Sequence, residues 1–399
     1  MAIRYMGTKR LLAPAVRGLV DDLKPAGQVA DLFAGMGSVA SSLAPEYPVL
    51  VNDALEFPGA ISRARFLDHR RPTVDSVLRS LVAAFLTTRA FRRQAIEERL
   101  HQERLAALDR VSLGKWMDAA PHVGNSADIA AAANGAARCS GVDHYRLCEL
   151  YFSGSYFSTA QAVDLDVLRY AIDVSAGSKD WLLAAWLSTA ARIVNAPGHT
   201  AQFLKPTSDR VHMRIVRQWH RDVWSVFCEE LAALDQQGTQ AWRQKNRVTT
   251  GDALSLIAAN GLDGVSIVYA DPPYTKDHYS RFYHVYETLF KYNYPSSSGN
   301  GRYPSGRFIG DFSIGSRVAD ALVSLFDGVR SMGGVLIISY PPDGLLSRTH
   351  SLPLGDLLAS SGLQITRTLD IPHRHSTMGA SKGSSAVSTV ERIYVCRSR

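Results

Sequence analysis

Cysteine is scarce in this chain. There are four among 399 residues (Cys139, Cys148, Cys228 and Cys396), with no C-x-x-C pair and no histidine partner at zinc spacing. That excludes a disulfide framework and reads as reduced, mostly structural thiols in a cytoplasmic protein. No run of about 18 apolar residues occurs, so no membrane-spanning helix is expected. The first residues carry Arg4, Lys9, Arg10 and Arg17 without a long apolar stretch, and no signal peptide is expected. The absence of a repeat of about 20–50 residues excludes a solenoid or propeller. No Ser/His/Asp nucleophile spacing and no metal-ligand cluster stands out, so no metal requirement is expected.

What is present is ordinary globular material, with 46% hydrophobic and 20% charged residues. It suffices for two or three domains, or for one large domain carrying an insertion. The net charge of +7 favours polyanionic partners. The excess is uneven: residues 60–110 hold 11 Arg against 6 acids, and residues 275–310 hold 5 basic groups against 2 acidic ones. From charge alone, a solvated helix face explains such runs as well as a binding surface does.

The hydrophobic pattern predicts a helix over Lys9–Leu23, a short apolar strand Val29–Phe33, and a turn at Ala34-Gly35-Met36-Gly37. A helix then opens near Ser38, and a second strand, Tyr47–Asn52, ends at Asp53. This order begins an open α/β sheet. Helical patterns follow over Arg63–His69, Val74–Leu108, Asp164–Val174, Trp181–Ile193 and Arg210–Leu234, separated by irregular pieces near 111–160 and 195–209. Such a stretch is too long for a loop. Strand patterns return at Arg247–Thr250, Val265–Ala270 and Val335–Tyr340, with Ile365–Asp370 and Val390–Cys396 as a late antiparallel pair. Pro295–Gly310 is rich in Gly, Ser and Pro and is expected to be a mobile loop. The expected division is a sheet domain split between 1–60 and 246–399, closing around a helical insert at 61–245.

Two segments carry chemistry. In Asp31-Leu32-Phe33-Ala34-Gly35-Met36-Gly37, the glycines allow a close backbone approach to a ligand, and Asp53 follows 18 residues after Gly35. An acid there suits ribose hydroxyls. Alone, the segment fits several nucleotide-containing cofactors, or a structural turn. The second segment is Asp271-Pro272-Pro273-Tyr274, directly after a buried strand. The prolines fix the backbone and lack N–H groups, leaving carbonyl acceptors beside a carboxylate. Such a site suits a planar amine with two N–H donors, and Tyr274 offers a stacking face. From Lys276 to Arg307, aromatic residues (Tyr279, Phe282, Tyr283, Tyr286 among them) interleave with Lys276, Arg281, Arg302 and Arg307, as in nucleic-acid surfaces. The helical spacing of Tyr279, Tyr283, Tyr286 and Phe290 fits a core equally well. His278 and His284 are given no acid–base role, and His373-Arg374-His375 reads as a surface loop.

Taken in order, these segments resemble the D12 class of DNA adenine-N6 methyltransferases, the group that includes the Dam methylases. Arg4–Lys9 resembles the N-terminal motif, Asp31–Gly37 the glycine motif, Gly251-Asp252 the adenine-side acid motif and Asp271–Tyr274 the catalytic tetrapeptide. The resemblance implies a Rossmann-like S-adenosylmethionine-dependent methyltransferase sheet with helices on both faces and a large, mainly helical insertion for target recognition. It implies cofactor contacts from Tyr5, Lys9, Asp31, Phe33, Gly35, Gly37, Asp53 and Asp252, with S-adenosylhomocysteine as product. It implies catalysis by Asp271, Pro272, Pro273 and Tyr274, while the aromatic–basic interleaving offers nucleic-acid contacts from Lys276, Tyr279, Arg281, Arg302 and Arg307. Hydrogen bonds from adenine N6–H to Asp271 and to the Pro272 carbonyl would localise the nitrogen lone pair for attack on a methyl group, and the base must first flip out of the duplex. Double-stranded DNA is the implied partner, no membrane is, and a monomer is expected. A companion restriction endonuclease, a phage-borne role and a solitary regulatory role stay open. Methylation of RNA adenine or of cytosine N4, and a non-catalytic DNA-binding protein, are the alternative readings.

Overall fold

A computed structural model describes residue Ile3 and residues 12–68, 73–175, 179–375 and 387–399. The chain divides into two compact units. One comprises Tyr5–Asp68, Gln236–Tyr279 and Phe308–Arg399; the other comprises Met1–Arg4, His69–Asp235 and Ser280–Arg307.

The first unit is built on a seven-stranded sheet. Its strands are β1 (Gln28–Asp31), β2 (Val49–Asp53), β3 (Arg247–Thr250), β4 (Val265–Ala270), β5 (Val335–Ser339), β6 (Leu363–His375) and β7 (Val387–Ser398). Their spatial order is β3-β2-β1-β4-β5-β7-β6. The first five run parallel, and β7 pairs antiparallel with both β5 and β6. β2, β4 and β5 are nearly continuous Val/Ile/Leu/Ala runs because both of their faces are covered. On one face Ala13–Leu23, Ser38–Leu43 and Phe66 enclose a core with Val29, Val51 and Ile267. On the other, Val318–Ser331, Leu345–His350 and Leu354–Ser360 pack against Ala30, Val268 and Leu336. This is the expected α/β class, with helices on both faces. Because the chain steps outward from β1 to β3 and then returns to β4 on the other side, the order reverses between β1 and β4. In an open parallel sheet such a reversal leaves a crevice at the carboxyl ends of the two central strands.

The second unit is mainly helical. Thr159–Val174 and Lys179–Ile193 form its centre and are buried almost all round, with Trp181 and Trp186 fully enclosed. The expected single helix Val74–Leu108 is two, Val74–Gln94 and Glu97–Ala106. Arg210–Leu234 is likewise two, Asp209–Trp219 and Val223–Ala233, because the Asp222 carboxylate accepts from the Ser225 N–H and starts a new helix. The stretch 111–160, read as irregular, contains the helices Arg110–Ala119, Ala127–Arg138 and Leu147–Phe152. Pro295–Gly310 is not a loose loop: Ser297–Ser298 pairs antiparallel with Tyr303–Pro304.

The arginine-rich segment 60–110, read as a solvated face or a binding surface, has an internal use in part. Arg89 and Arg93 pair with buried Asp164 at 3.2 and 2.6 Å, and Arg92 pairs with buried Glu149 at 2.6 Å. A guanidinium committed to a buried carboxylate is not available to DNA.

Candidate active site

The Gly turn leaves β1, and the Asp-Pro-Pro-Tyr segment leaves β4, its immediate neighbour. Asp31 pairs in register with Tyr269, and the Leu32 N–H donates to the Tyr269 carbonyl at 3.1 Å. Both segments therefore emerge side by side at the carboxyl ends, where the strand order reverses.

The turn is held from beneath by two residues at the end of β2. The Asp53 carboxylate, 8% exposed, accepts from the Gly35 N–H at 2.8 Å and the Leu55 N–H at 2.9 Å. Buried Asn52 donates to the carbonyls of Leu32 and Gly251, each at 3.1 Å, and accepts from the Thr249 hydroxyl at 3.0 Å. One amide thus ties the loops after β1 and β3 to the end of β2. Neither residue's bracing role was read from the sequence; the signal was a polar pair closing an otherwise apolar strand.

Gly35 and Gly37 have φ of 52° and 71°. A Cβ on Gly37 would lie 2.5 Å from the Phe66 ring. The space beside Gly37 is filled by packing, so its glycine serves the turn and its contact with the helix Glu56–Phe66. Gly251 has φ of 141°, and a Cβ there would meet nothing within 4 Å. Next to it, Asp252 caps the helix Ala253–Ala258 through the Ser255 N–H at 3.2 Å. Asp31 is buried at the end of β1.

Past β4, Asp271 is half-buried and Pro272 buried. Tyr274 is half-buried, its ring edge-on to Tyr340 at 6.3 Å, while its carbonyl accepts from the Leu345 N–H at 2.8 Å. Burial, then the nearby Glu391, Asp271 and Asp343 carboxylates, push the Tyr274 phenol up, so it stays protonated. Phe33 packs on the same apolar cluster as Tyr274, edge-on to Phe312 at 5.2 Å. Glu391 on β7, also missed, is buried and accepts from the Ser339 hydroxyl at 2.9 Å. Tyr5 and Lys9 lie outside the described residues, as do the side chains of His373-Arg374-His375, whose backbone ends β6.

Of the expected nucleic-acid contacts, Lys276 is exposed and Tyr279 half-buried in the sheet unit. Arg281 and Arg307, in the helical unit, lie 5.5 and 5.2 Å from the Tyr303 ring centre. Arg302 departs from expectation. It is 2% exposed, donates to the carbonyls of Tyr151 and Ser153 at 2.7 and 3.2 Å, and burial lowers its pKa to about 9. Its guanidinium holds the 297–304 hairpin and cannot reach a phosphate. Tyr283, Tyr286, Tyr292 and Tyr294 are core residues. His284 is buried and neutral, its pKa pushed down to about 3 by burial, and its Nε2 lies 3.3 Å from the Tyr156 hydroxyl. Among the described residues no group of three or more His, Cys, Asp or Glu could hold a metal ion, and no helix is long and apolar enough to cross a membrane.

Comparison with known proteins bears out the resemblance. Residues 229–303 match the family model for the D12 class N6 adenine-specific DNA methyltransferases. The chain is 22% identical over 393 residues to the modification methylase LlaI of Lactococcus lactis subsp. lactis, covering 96% of this chain and 53% of that protein. It is 21% identical over 356 residues to the modification methylase StsI of Streptococcus sanguinis, covering 86% of this chain and 45% of that protein. The chain thus spans about half the length of these curated relatives. A solved structure of the Type IIL restriction-modification enzyme MmeI in complex with DNA aligns over 91% of this chain and 40% of its own, at 11% identity and a TM-score of 0.23, too low to carry any conclusion.

Proposed function

We propose that this chain transfers a methyl group from S-adenosylmethionine to N6 of an adenine flipped out of double-stranded DNA, in a restriction–modification setting with a cognate endonuclease. The observation that carries the reading is the emergence of the Gly turn and Asp271–Tyr274 side by side from β1 and β4, at the order reversal of one sheet. The family match and the names of the two relatives support it. The proposal includes a monomer working in the cytoplasm.

The residues suit the cofactor. Gly35 and Gly251 adopt backbone conformations that side chains disfavour, and open space lies beside Gly251. Asp53, an acid fixed beside the Gly turn at the end of β2, suits ribose hydroxyls, and Asp252 is held by its cap at the neighbouring strand end. Phe33 gives an apolar wall. When bound, the cofactor supplies an electrophilic methyl on a sulfonium. Everything else falls to the chain. Asp271 and the Pro272 carbonyl accept hydrogen bonds from adenine N6–H and concentrate electron density on that nitrogen. Pro273 keeps the turn rigid, so the acceptors need no reorganisation on binding. Tyr274, held as a neutral phenol, offers a face for the base.

The test is incubation with S-adenosylmethionine and unmethylated genomic DNA or RNA, followed by nucleoside mass spectrometry. N6-methyladenine in DNA is expected, with Asp271→Ala lowering the rate by about a hundredfold or more. N4-methylcytosine, methylation confined to RNA, or no methylated base would overturn the reading.

A further inference from the structure

We infer that the exposed face of helix Asp209–Trp219 is a contact surface for the phosphate backbone of duplex DNA, carried by Arg210, Arg214 and Arg217. The inference rests on the reading of the chain as a DNA-modifying enzyme and deepens it.

The helix is divided sharply. Ile215 and Trp219 are buried in a cluster with Leu113 and Met117. At about 100° per residue, the three arginines fall within about 60° of one another on the opposite side. All three are exposed, with Met213, 60% exposed, among them.

Internal structure does not account for these charges. Positions three and four residues from each arginine hold no acid, so they repel one another along the helix. Among the described residues no ion pair forms with any of them. Arg214 donates one bond to the Ala196 carbonyl at 3.1 Å, which steadies its stem. The contrast with Arg89, Arg92 and Arg93, each answered by a buried acid, is direct. Uncompensated cations at regular spacing on a rigid helix complement a polyanion with a regular charge repeat. From Arg210 to Arg217 the helix rises about 10 Å. Phosphates along one DNA strand advance about 3.4 Å each, so the stripe covers about three steps.

The test uses the full chain and a fluorescent duplex titrated across salt concentrations. Arg210→Gln with Arg217→Gln is expected to weaken binding at least tenfold near 0.1 M salt and to reduce the slope of log K against log salt by about two. Arg210→Lys with Arg217→Lys keeps the charge and is expected to keep the slope, which separates charge loss from misfolding. Arg79→Gln with Arg104→Gln removes two exposed arginines elsewhere on the same unit and is expected to change the slope little. If the wild type binds and methylates DNA while the 210/217 Gln variant keeps its affinity and slope, the surface is wrong and the enzyme reading stands. Equal losses in the 79/104 variant would also overturn the surface. If the wild type binds no duplex, the enzyme reading itself fails.

Discussion

At the scale of single residues, the chain spends glycine where backbone and packing demand it, and the two demands separate cleanly. Gly37 sits at φ 71°, with the Phe66 ring where a Cβ would go. Gly37→Ala would overpack that contact at a cost of about 1–3 kcal/mol, and would add about 1–2 kcal/mol for a left-handed backbone. Gly18 lies exposed in the helix Ala13–Leu23 with nothing within 4 Å, and Gly18→Ala is expected to stabilise by about 0.5–1 kcal/mol. Urea unfolding monitored in the sheet unit should therefore give midpoint shifts of opposite sign. A gain from both would mean that Phe66 yields freely and the turn carries no strain. The residues with chemical character, Asp53, Asp252 and Asp271 to Tyr274, stood out in the sequence because each closes an apolar strand or opens a turn. Asn52 and Glu391 did not. Their partners are made by folding: the Asn52 amide reaches the Gly251 carbonyl, 199 positions away in the chain.

At the scale of elements, hydrophobic runs marked the parallel strands to within a few residues, because buried parallel strands leave little room for polar side chains; β6 runs on from the expected Ile365–Asp370 through His373-Arg374-His375, read as a surface loop. Element ends were harder. Nothing at Ala95-Ile96 breaks a helix by propensity, yet the chain turns there between Val74–Gln94 and Glu97–Ala106. The segment 295–310 misled in the opposite direction. Its Gly and Ser content reads as loop, but Arg302, with φ of 56°, anchors a short hairpin from inside. Arg302 has the Tyr151 and Ser153 carbonyls and the Phe203 ring 5.7 Å away as its partners. Arg302→Ala would strand those acceptors and open a void, at a cost of about 3 kcal/mol or more. Both bonds leave one nitrogen, Nη1, so Arg302→Lys keeps a donor but loses the guanidinium plane over the Phe203 ring, and should recover little. Limited proteolysis is expected to cleave both variants within 295–307 while the wild type resists. Resistance in Arg302→Ala would show that the hairpin holds without its buried guanidinium.

At the scale of the whole molecule, the chain carries two units with separate cores, and the segments assigned to cofactor and chemistry fall in one of them. The sequence reading placed those segments within 1–60 and 246–399, but a sequence marks strands and not the reversal of their order between β1 and β4. It has a thermodynamic consequence. A ligand that binds only the folded sheet unit stabilises that unit by mass action, by about 2.7 kcal/mol at a hundredfold excess over its Kd. Where exchange reports unfolding of the unit, S-adenosylmethionine is expected to slow amide exchange roughly a hundredfold in β1, β2, β4 and the loops leaving their carboxyl ends. The core helices Thr159–Val174 and Lys179–Ile193 should change far less, because their stability comes from their own apolar contacts and the bracing of Asp164 and Asp166. Hydrogen-exchange mass spectrometry with and without cofactor reads both units in one experiment. Equal protection across the two would mean that the helical unit holds part of the cofactor or unfolds together with the sheet. Protection confined to the helices would remove the cofactor from the β1–β4 crevice, and with it the geometric basis for transfer at Asp271.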